Sequence, residues 1–270
     1  NASYAIQAMD YLWLGDYAQA DEYAAKVPID FTWNLYSHEE NSWRNQWVYY
    51  TNQWALVTVF GTPMATTFQD VQDPRIPWVS CGEYKEGLTV GGRSRHWSEY
   101  DDFRTNPGCK SYSYSGRYRT YDNDLPNYAQ LKYTSWDDEI PLLNGQEMKL
   151  VRAEVALRNG NLGAMTGFIN EVRAFHGLDP IDVPASAGAL EYPNAEDDGW
   201  SILDRESLFT LWLDGRRYAN FRRWQHPFWT GGHYKTPDEA NDNAGMDRPQ
   251  YMRGNGEMDW CMPLPDGEEC

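Results

Sequence analysis

The chain has 270 residues, of which 40 are acidic and 23 basic, for a formal charge of −17. That balance repels phosphate backbones, so nucleic acid and anionic membrane surfaces are poor partners for it. No run of about 18 apolar residues exists to cross a bilayer, and the length suits one sizeable core or two small domains.

The first predicted element is a helical hairpin over residues 3–27. Ala5, Ala8, Met9, Leu12 and Trp13 lie on one face, Leu14-Gly15-Asp16 makes the turn, and Tyr17, Ala20, Ala24 and Val27 give the returning face. Small alanines let two helices approach closely, and a Leu-Gly-x-Tyr turn ahead of them has the look of a tetratricopeptide unit. Asn1-Ala2-Ser3 is a glycosylation sequon at the very start. With no signal peptide and no initiator Met, the chain reads as mature, trimmed or partial.

From Pro28 to residue 140 the texture changes to loops, short strands and aromatics. Asn41–Trp54 reads either as a helix with Trp43, Trp47 and Trp54 along one side or as two short strands. Lys110–Tyr121 alternates at period two around Ser115-Gly116 and reads as a hairpin, with Tyr112 opposite Arg119 and Tyr114 opposite Arg117. A connection this long between helix pairs is usually functional when ordered.

Residues 144–224 carry the clearest helical signals. Asn144 and Glu147 form a capping-box start. Met148, Val151 and Val155 form one stripe and Leu150, Ala153 and Leu157 another, so this helix should be covered on more than one side. Asn159-Gly160-Asn161 breaks it. A second helix carries Leu162, Met165, Phe168, Ile169, Val172 and Phe175, with Gly177 as its left-handed cap and Pro180 beyond. A third opens at Ser201 with Asp204 three residues on and runs towards Gly215; Arg216–Trp224 then places Tyr218, Phe221 and Trp224 at helical spacing among arginines. The first hairpin lies over this second one at a constant offset: Ala8, Leu12, Gly15, Asp16 and Val27 meet Ala153, Leu157, Gly160, Asn161 and Val172. The chain thus reads as a diverged repeat with a long insertion between its copies. Residues 225–270, rich in Gly, Pro and Asp, read as irregular.

Thirteen Trp and 19 Tyr stand beside only nine Phe. Such rings combine a flat apolar face with a polar edge and suit either a core margin or a binding surface. Trp136-Asp137-Asp138-Glu139 and Tyr100-Asp101-Asp102 set carboxylates beside rings. A glycoside hydrolase would show that pattern. So would a sugar-binding surface, where carboxylates accept hydroxyl hydrogen bonds and rings stack on pyranose faces, and so would a solvated charge run. The candidate ligand contacts are Trp97, Tyr100, Tyr112, Tyr114 and Trp136. No hydrolase elbow, zinc-protease motif or phosphate loop is present, so no catalytic residue is assigned. His226 and His233 lack further ligands for a metal, and Asp122-Asn123-Asp124 has calcium-ligating chemistry without the rest of an EF-hand loop. No other cofactor is expected. Cys81 with Cys109 and Cys261 with Cys270 suggest two local disulfides of an exported protein, one of three connectivities, against four free thiols in a cytosolic one.

Glu147, Met148, Leu150, Ala153, Glu154, Leu157, Arg158 and Gly160, then Ile169, Asn170, Val172, Arg173, Gly177 and Leu178, form a pattern that resembles the SusD/RagB family of outer-membrane nutrient-binding proteins. Arg205-Glu206, the Asp214–Trp224 run and the closing Met262-Pro263-Leu264-Pro265 with Glu268 are similar to further motifs of that family, in the same order. The resemblance implies a mainly α fold: one SusD-like domain over 1–270, built of tetratricopeptide-like helix pairs with long irregular insertions and a few short β-hairpins. It also implies non-catalytic capture of glycans or other nutrients at the cell surface, on the extracellular face of the outer membrane. A TonB-dependent SusC-like transporter would receive them. The lipidated cysteine and the N-terminal part usual for the family are missing, so the chain looks like a C-terminal portion. The alternative is a tetratricopeptide-like assembly protein of an extracellular polymer or surface layer, a homo-oligomer. On physical grounds the motif residues read as scaffold: Glu154 and Arg158 are a favourable i,i+4 pair, and Arg173, Arg205, Glu206 and Arg217 would tie helix pairs together.

Overall fold

The computed structural model describes residues 1–40, 43–53, 57–59, 62–65, 67–71, 73–80, 89–90, 93–94, 127–190 and 197–225. All of them belong to the unit Asn1–Tyr234; the second unit, Lys235–Cys270, falls outside them. Also outside are the four cysteines, the Lys110–Tyr121 hairpin, Asp122-Asn123-Asp124, Trp97, Tyr100 with Asp101 and Asp102, Tyr112, Tyr114, His226, His233 and the Met262–Pro265 motif.

Six helices are described: α1 Ala2–Leu14, α2 Tyr17–Ala24, α3 Gly145–Arg158, α4 Leu162–Phe175, α5 Gly199–Thr210 and α6 Arg217–Trp224. Three antiparallel strand pairs accompany them: β1 Thr32–Leu35 with β6 Ile140–Asn144, β2 Trp78–Ser80 with β5 Tyr128–Gln130, and β3 Thr89–Val90 with β4 Arg93–Ser94.

The two helical hairpins repeat one another bond for bond at their turns. Gly15 and Gly160 take left-handed φ values of 77° and 71°, a conformation that costs glycine little. Gly15 N donates to Leu12 O and Asp16 N to Tyr11 O; Gly160 N donates to Leu157 O and Asn161 N to Ala156 O. Asp16 then caps α2 by accepting from Gln19 N, and Asn161 caps α4 by accepting from Ala164 N. The repeat read from the sequence is therefore a repeat of backbone geometry.

Helix α3 is the shared wall. Its Met148 and Val151 pack with Ala5, Ala8, Leu12, Ala20 and Ala24 of the first hairpin. Its Leu150, Ala153 and Leu157 pack with Met165, Ile169 and Val172 of α4 and Ile202 and Leu203 of α5. This is the two-sided burial that two overlapping stripes demand. A third cluster seats the insertion against the end of α5, where Phe68 meets Phe209 edge to face at 5.0 Å and Val59, Met64 and Ile76 share the cluster with Trp212.

Two details differ from expectation. The Asn144 side chain does accept from Glu147 N at 2.7 Å, but Glu147 does not reciprocate, because its carboxylate turns to Arg216. Helix α5 starts at Gly199 under an Asp198 cap that accepts from Ser201 N, not at Ser201. Ser201 and Asp204 are both wholly buried within the helix, and Asp204 is held by Arg217. The nearer Asp198 satisfies the free amides, and the charge at Asp204 answers a tertiary partner that local spacing cannot reveal. Of the Asn41–Trp54 stretch, residues 43–53 are described, and helical turns run only from Gln46 to Gln53, widening over Val48–Gln53; Trp43 precedes them and Trp54 lies outside the described residues.

Candidate functional site: an aromatic rim fringed by carboxylates

Trp136 is the one predicted ligand contact within the described residues. It lies in the turn 134–139 ahead of β6, and residues 43–45 are bonded to that turn. Asn45, 1% exposed, is the staple between the two. Its backbone N donates to Trp136 O at 2.9 Å and its Nδ2 to Asp138 O at 2.7 Å, while its Oδ1 accepts from Trp47 N and Val48 N to start the helical turn. A polar side chain is tolerated there because both its amide nitrogen and its amide oxygen have partners.

The rest of the rim follows from this join. Arg44 lays its guanidinium over the Trp136 ring, 3.5 Å from the centroid, and donates Nε to Glu39 O. One face of Trp136 is therefore taken by a cation–π contact. His38 N donates to Trp43 O, Trp43 N donates to Glu40 O, and His38 stacks near Tyr36 at 6.2 Å. Tyr36 and Trp43 stand out into solvent at 63% and 61% exposure, and Trp33 and Leu35 of β1 are exposed as well. Exposed rings on β1 and the segment that follows it offer flat faces for stacking.

Of the acidic run beside Trp136, two members are occupied by structure. The Asp138 carboxylate accepts from Thr134 N and Ser135 N, closing the turn, and Glu139 accepts from Asn34 Nδ2 on β1. Asp137 is exposed. Asn45, Arg44, Trp43 and Tyr36 were not singled out as contacts in the sequence. An asparagine immediately before a helical turn is a cap signal that would have found the first.

The arginine-rich end of the helical scaffold is chemically different. Arg216 donates to Glu147 and Arg223 to Glu154, each across 69 residues. Because both partners advance by seven, α6 runs parallel to α3. Glu154 also accepts from Arg158, and Arg216 reaches the carbonyl of Leu142, which the β1–β6 bulge leaves without a strand partner. Arg173 and Arg75 share Glu206, and Arg75 also holds Asp73. The expected network is thus divided: Arg173 meets Glu206, whereas Arg205 pairs with Asp197 and Arg217 with Asp204.

These groups titrate as buried partners should. Burial raises the Glu147 carboxyl in spite of Arg216. Burial would raise Asp73 too, but the hydrogen bonds and charge of Arg75 outweigh it and hold the carboxyl low. Burial lowers Lys132, which donates to Asp214 Oδ1 and Trp212 O, and raises the Tyr133 hydroxyl, which donates to the same Asp214 oxygen. A crevice of about 20 Å³, room for roughly one water, lies between α1, α3 and α6 beside Glu147, Glu154, Arg223 and Trp224. It is far below the range of about 300–1,000 Å³ usual for ligand pockets, and its charged lining is already paired. The crevice is a seam of the scaffold. Among the described residues no group of three or more His, Cys, Asp or Glu is placed to hold a metal ion, and no helix is long and apolar enough to cross a membrane.

No protein-family profile and no curated protein matches the chain. Among solved structures it is similar to a SusD-like protein from Bacteroides fragilis NCTC 9343, at 14% identity and a TM-score of 0.50, over 83% of this chain and 54% of that one. A SusD superfamily protein from Bacteroides vulgatus ATCC 8482 matches at 16% identity and a TM-score of 0.47, over 90% of this chain and 55% of that one. The chain spans about half the length of either structure. At this identity the likeness to the first is one of fold, and the fold is SusD-like: mainly helical, with a few short antiparallel strand pairs.

Proposed function

We propose that this SusD-like chain belongs to a non-catalytic nutrient-binding protein of the cell surface, which captures glycans at its aromatic rim. It would pass them to a TonB-dependent, SusC-like transporter on the extracellular face of the outer membrane. The observation that carries the reading is the rim on its SusD-like scaffold: Trp33 on β1 and Tyr36 and Trp43 after it are each exposed, and Asn45 ties the segment of Trp43 to the turn of Trp136. Flat rings stack on the C–H faces of pyranoses, and neighbouring carboxylates accept sugar hydroxyls. The remaining predicted contacts, Trp97, Tyr100, Tyr112 and Tyr114, would extend that surface from the same insertion. Affinity electrophoresis against a panel of polysaccharides tests this, with Trp43→Ala and Trp136→Ala as controls. Retention by at least one glycan, lost in Trp43→Ala, is expected; absence of retention across the panel sinks the reading.

A second reading, an assembly protein, draws on α1, where Trp13 and Leu14 are 52% and 78% exposed. Mass photometry at low concentration separates the two, because a solitary monomer is incompatible with assembly through that helix.

A further inference from the structure

The rim has a definite sign of charge. Segments 36–45 and 134–139 carry five carboxylates, Glu39, Glu40, Asp137, Asp138 and Glu139, against Arg44 and the half-buried His38. Asp138 and Glu139 are engaged by the turn and by Asn34. Glu39, Glu40 and Asp137 are exposed, and no ion pair joins them to any described residue. The one guanidinium present lies flat on Trp136 and spends its Nε on Glu39 O.

Two of these free carboxylates belong to the loop that holds Trp43, whose amide donates to Glu40 O, and Asp137 adjoins Trp136. A sugar stacked on Trp43 would therefore meet a loop of net negative charge, and exposed charges are felt over a screening length of about 8 Å at physiological salt. An ionised carboxylate is acceptor-only, so what it needs from a ligand is donors: hydroxyls or ammonium groups. A carboxylate or sulfate on the ligand supplies neither and adds like-charge repulsion. An extended peptide fits less well, since β1 has four residues and its pairing with β6 is bulged, two features that blunt a strand edge as a template.

We infer that the rim takes glycans without acidic groups, prefers those bearing free amines, and rejects uronate- and sulfate-bearing chains. This rests on the glycan-binding role proposed above. The test uses the full chain and three classes of probe: neutral glucans, mannans and xylans; glucosamine oligosaccharides; and alginate, polygalacturonate and chondroitin sulfate. A lysine-rich peptide serves as a fourth. Neutral probes should bind through Trp43, and amine-bearing ones about tenfold more tightly at low than at high salt. A Glu39→Gln/Glu40→Gln/Asp137→Asn variant should lose the amine preference together with its salt dependence, binding amine-bearing and neutral probes alike. Acidic glycans bound as tightly as neutral ones and released by Trp43→Ala, or amines bound no better than neutral sugars, overturn the inference and leave the binding role standing. A peptide bound more tightly than every glycan overturns it in favour of a protein partner. No binding by any probe overturns both.

Discussion

Arg223 of α6 reaches the buried carboxylate of Glu154 on α3, and Arg216, seven residues earlier, reaches Glu147, also seven residues earlier. Glu154 is 1% exposed and serves Arg158 as well. Removing one member of a buried pair strands the other, at a cost of about 3–5 kcal/mol. Glu154→Ala should lower the urea midpoint accordingly, whereas Glu154→Met combined with Arg223→Met should recover much of the loss. A loss in the double variant equal to the sum of the two single losses would show that the residues act independently.

A second prediction concerns the doorway of the insertion. A Cβ at Gly145 would fall on the carbonyl oxygen of Pro28 and crowd the backbone of Ile29. Backbone cannot swing aside as a side-chain tip can, so Gly145→Ala should cost about 3 kcal/mol, the upper end of overpacking. Thermal unfolding measures it. Gly167→Ala, on α4 with open space around its Cβ, should be neutral or slightly stabilising.

A third follows from His176. Burial and the nearby Arg75 charge lower its pKa, and its Nε2 is buried without a hydrogen-bond partner. With the folded pKa below the unfolded one, the unfolded chain binds the proton first as pH falls. Stability is therefore full above about pH 6.5 and declines as pH drops towards the folded value. His176→Gln should flatten the decline in melting temperature between about pH 7 and 5.5. Asp73, whose pKa is held low, adds a further loss below its ordinary value of 3.8, while Glu147, whose pKa is raised, acts in the opposite direction.

The rim offers a fourth test, which separates support from recognition. Asn45→Ala removes bonds to both the helical turn and the turn 134–139, and should cost about 1–3 kcal/mol. Trp43→Ala, at an exposed ring, should leave the melting temperature within about a degree or two. Both should weaken glycan retention, and only the first should unfold early in urea.

The helical scaffold was legible because local rules set it. Asn144, Asn161, Gly160 and Gly177 announce their turns within a few residues, and the two stripes of α3 say that it is walled on both sides. The tertiary use of charge was only partly legible. Glu154 with Arg158 is a local pair, but Glu147 with Arg216 and Asp204 with Arg217 depend on how α5 and α6 return across α3. The rim was less legible still. Trp136 stood out by its neighbours, yet its partner Arg44 lies more than ninety residues away and Asn45 looks like any loop asparagine. Such contacts are long-range and follow no period.

The β1–β6 pair carries one more consequence. Gly145 N donates to Phe31 O at 2.8 Å, and Thr32 sits opposite Asn144, so the chain leaves the scaffold and returns to it at a single point. The stretch between is, topologically, a cassette hung on one hinge pair. Its length can change with only a slow, logarithmic entropic cost, and its surface can be rewritten without shifting either hairpin. A graft that joins another cassette at Thr32 and Asn144 must also cover Phe209 and Trp212 and supply cations for Glu206 and Asp214, which the present stretch does through its apolar cluster, Arg75 and Lys132.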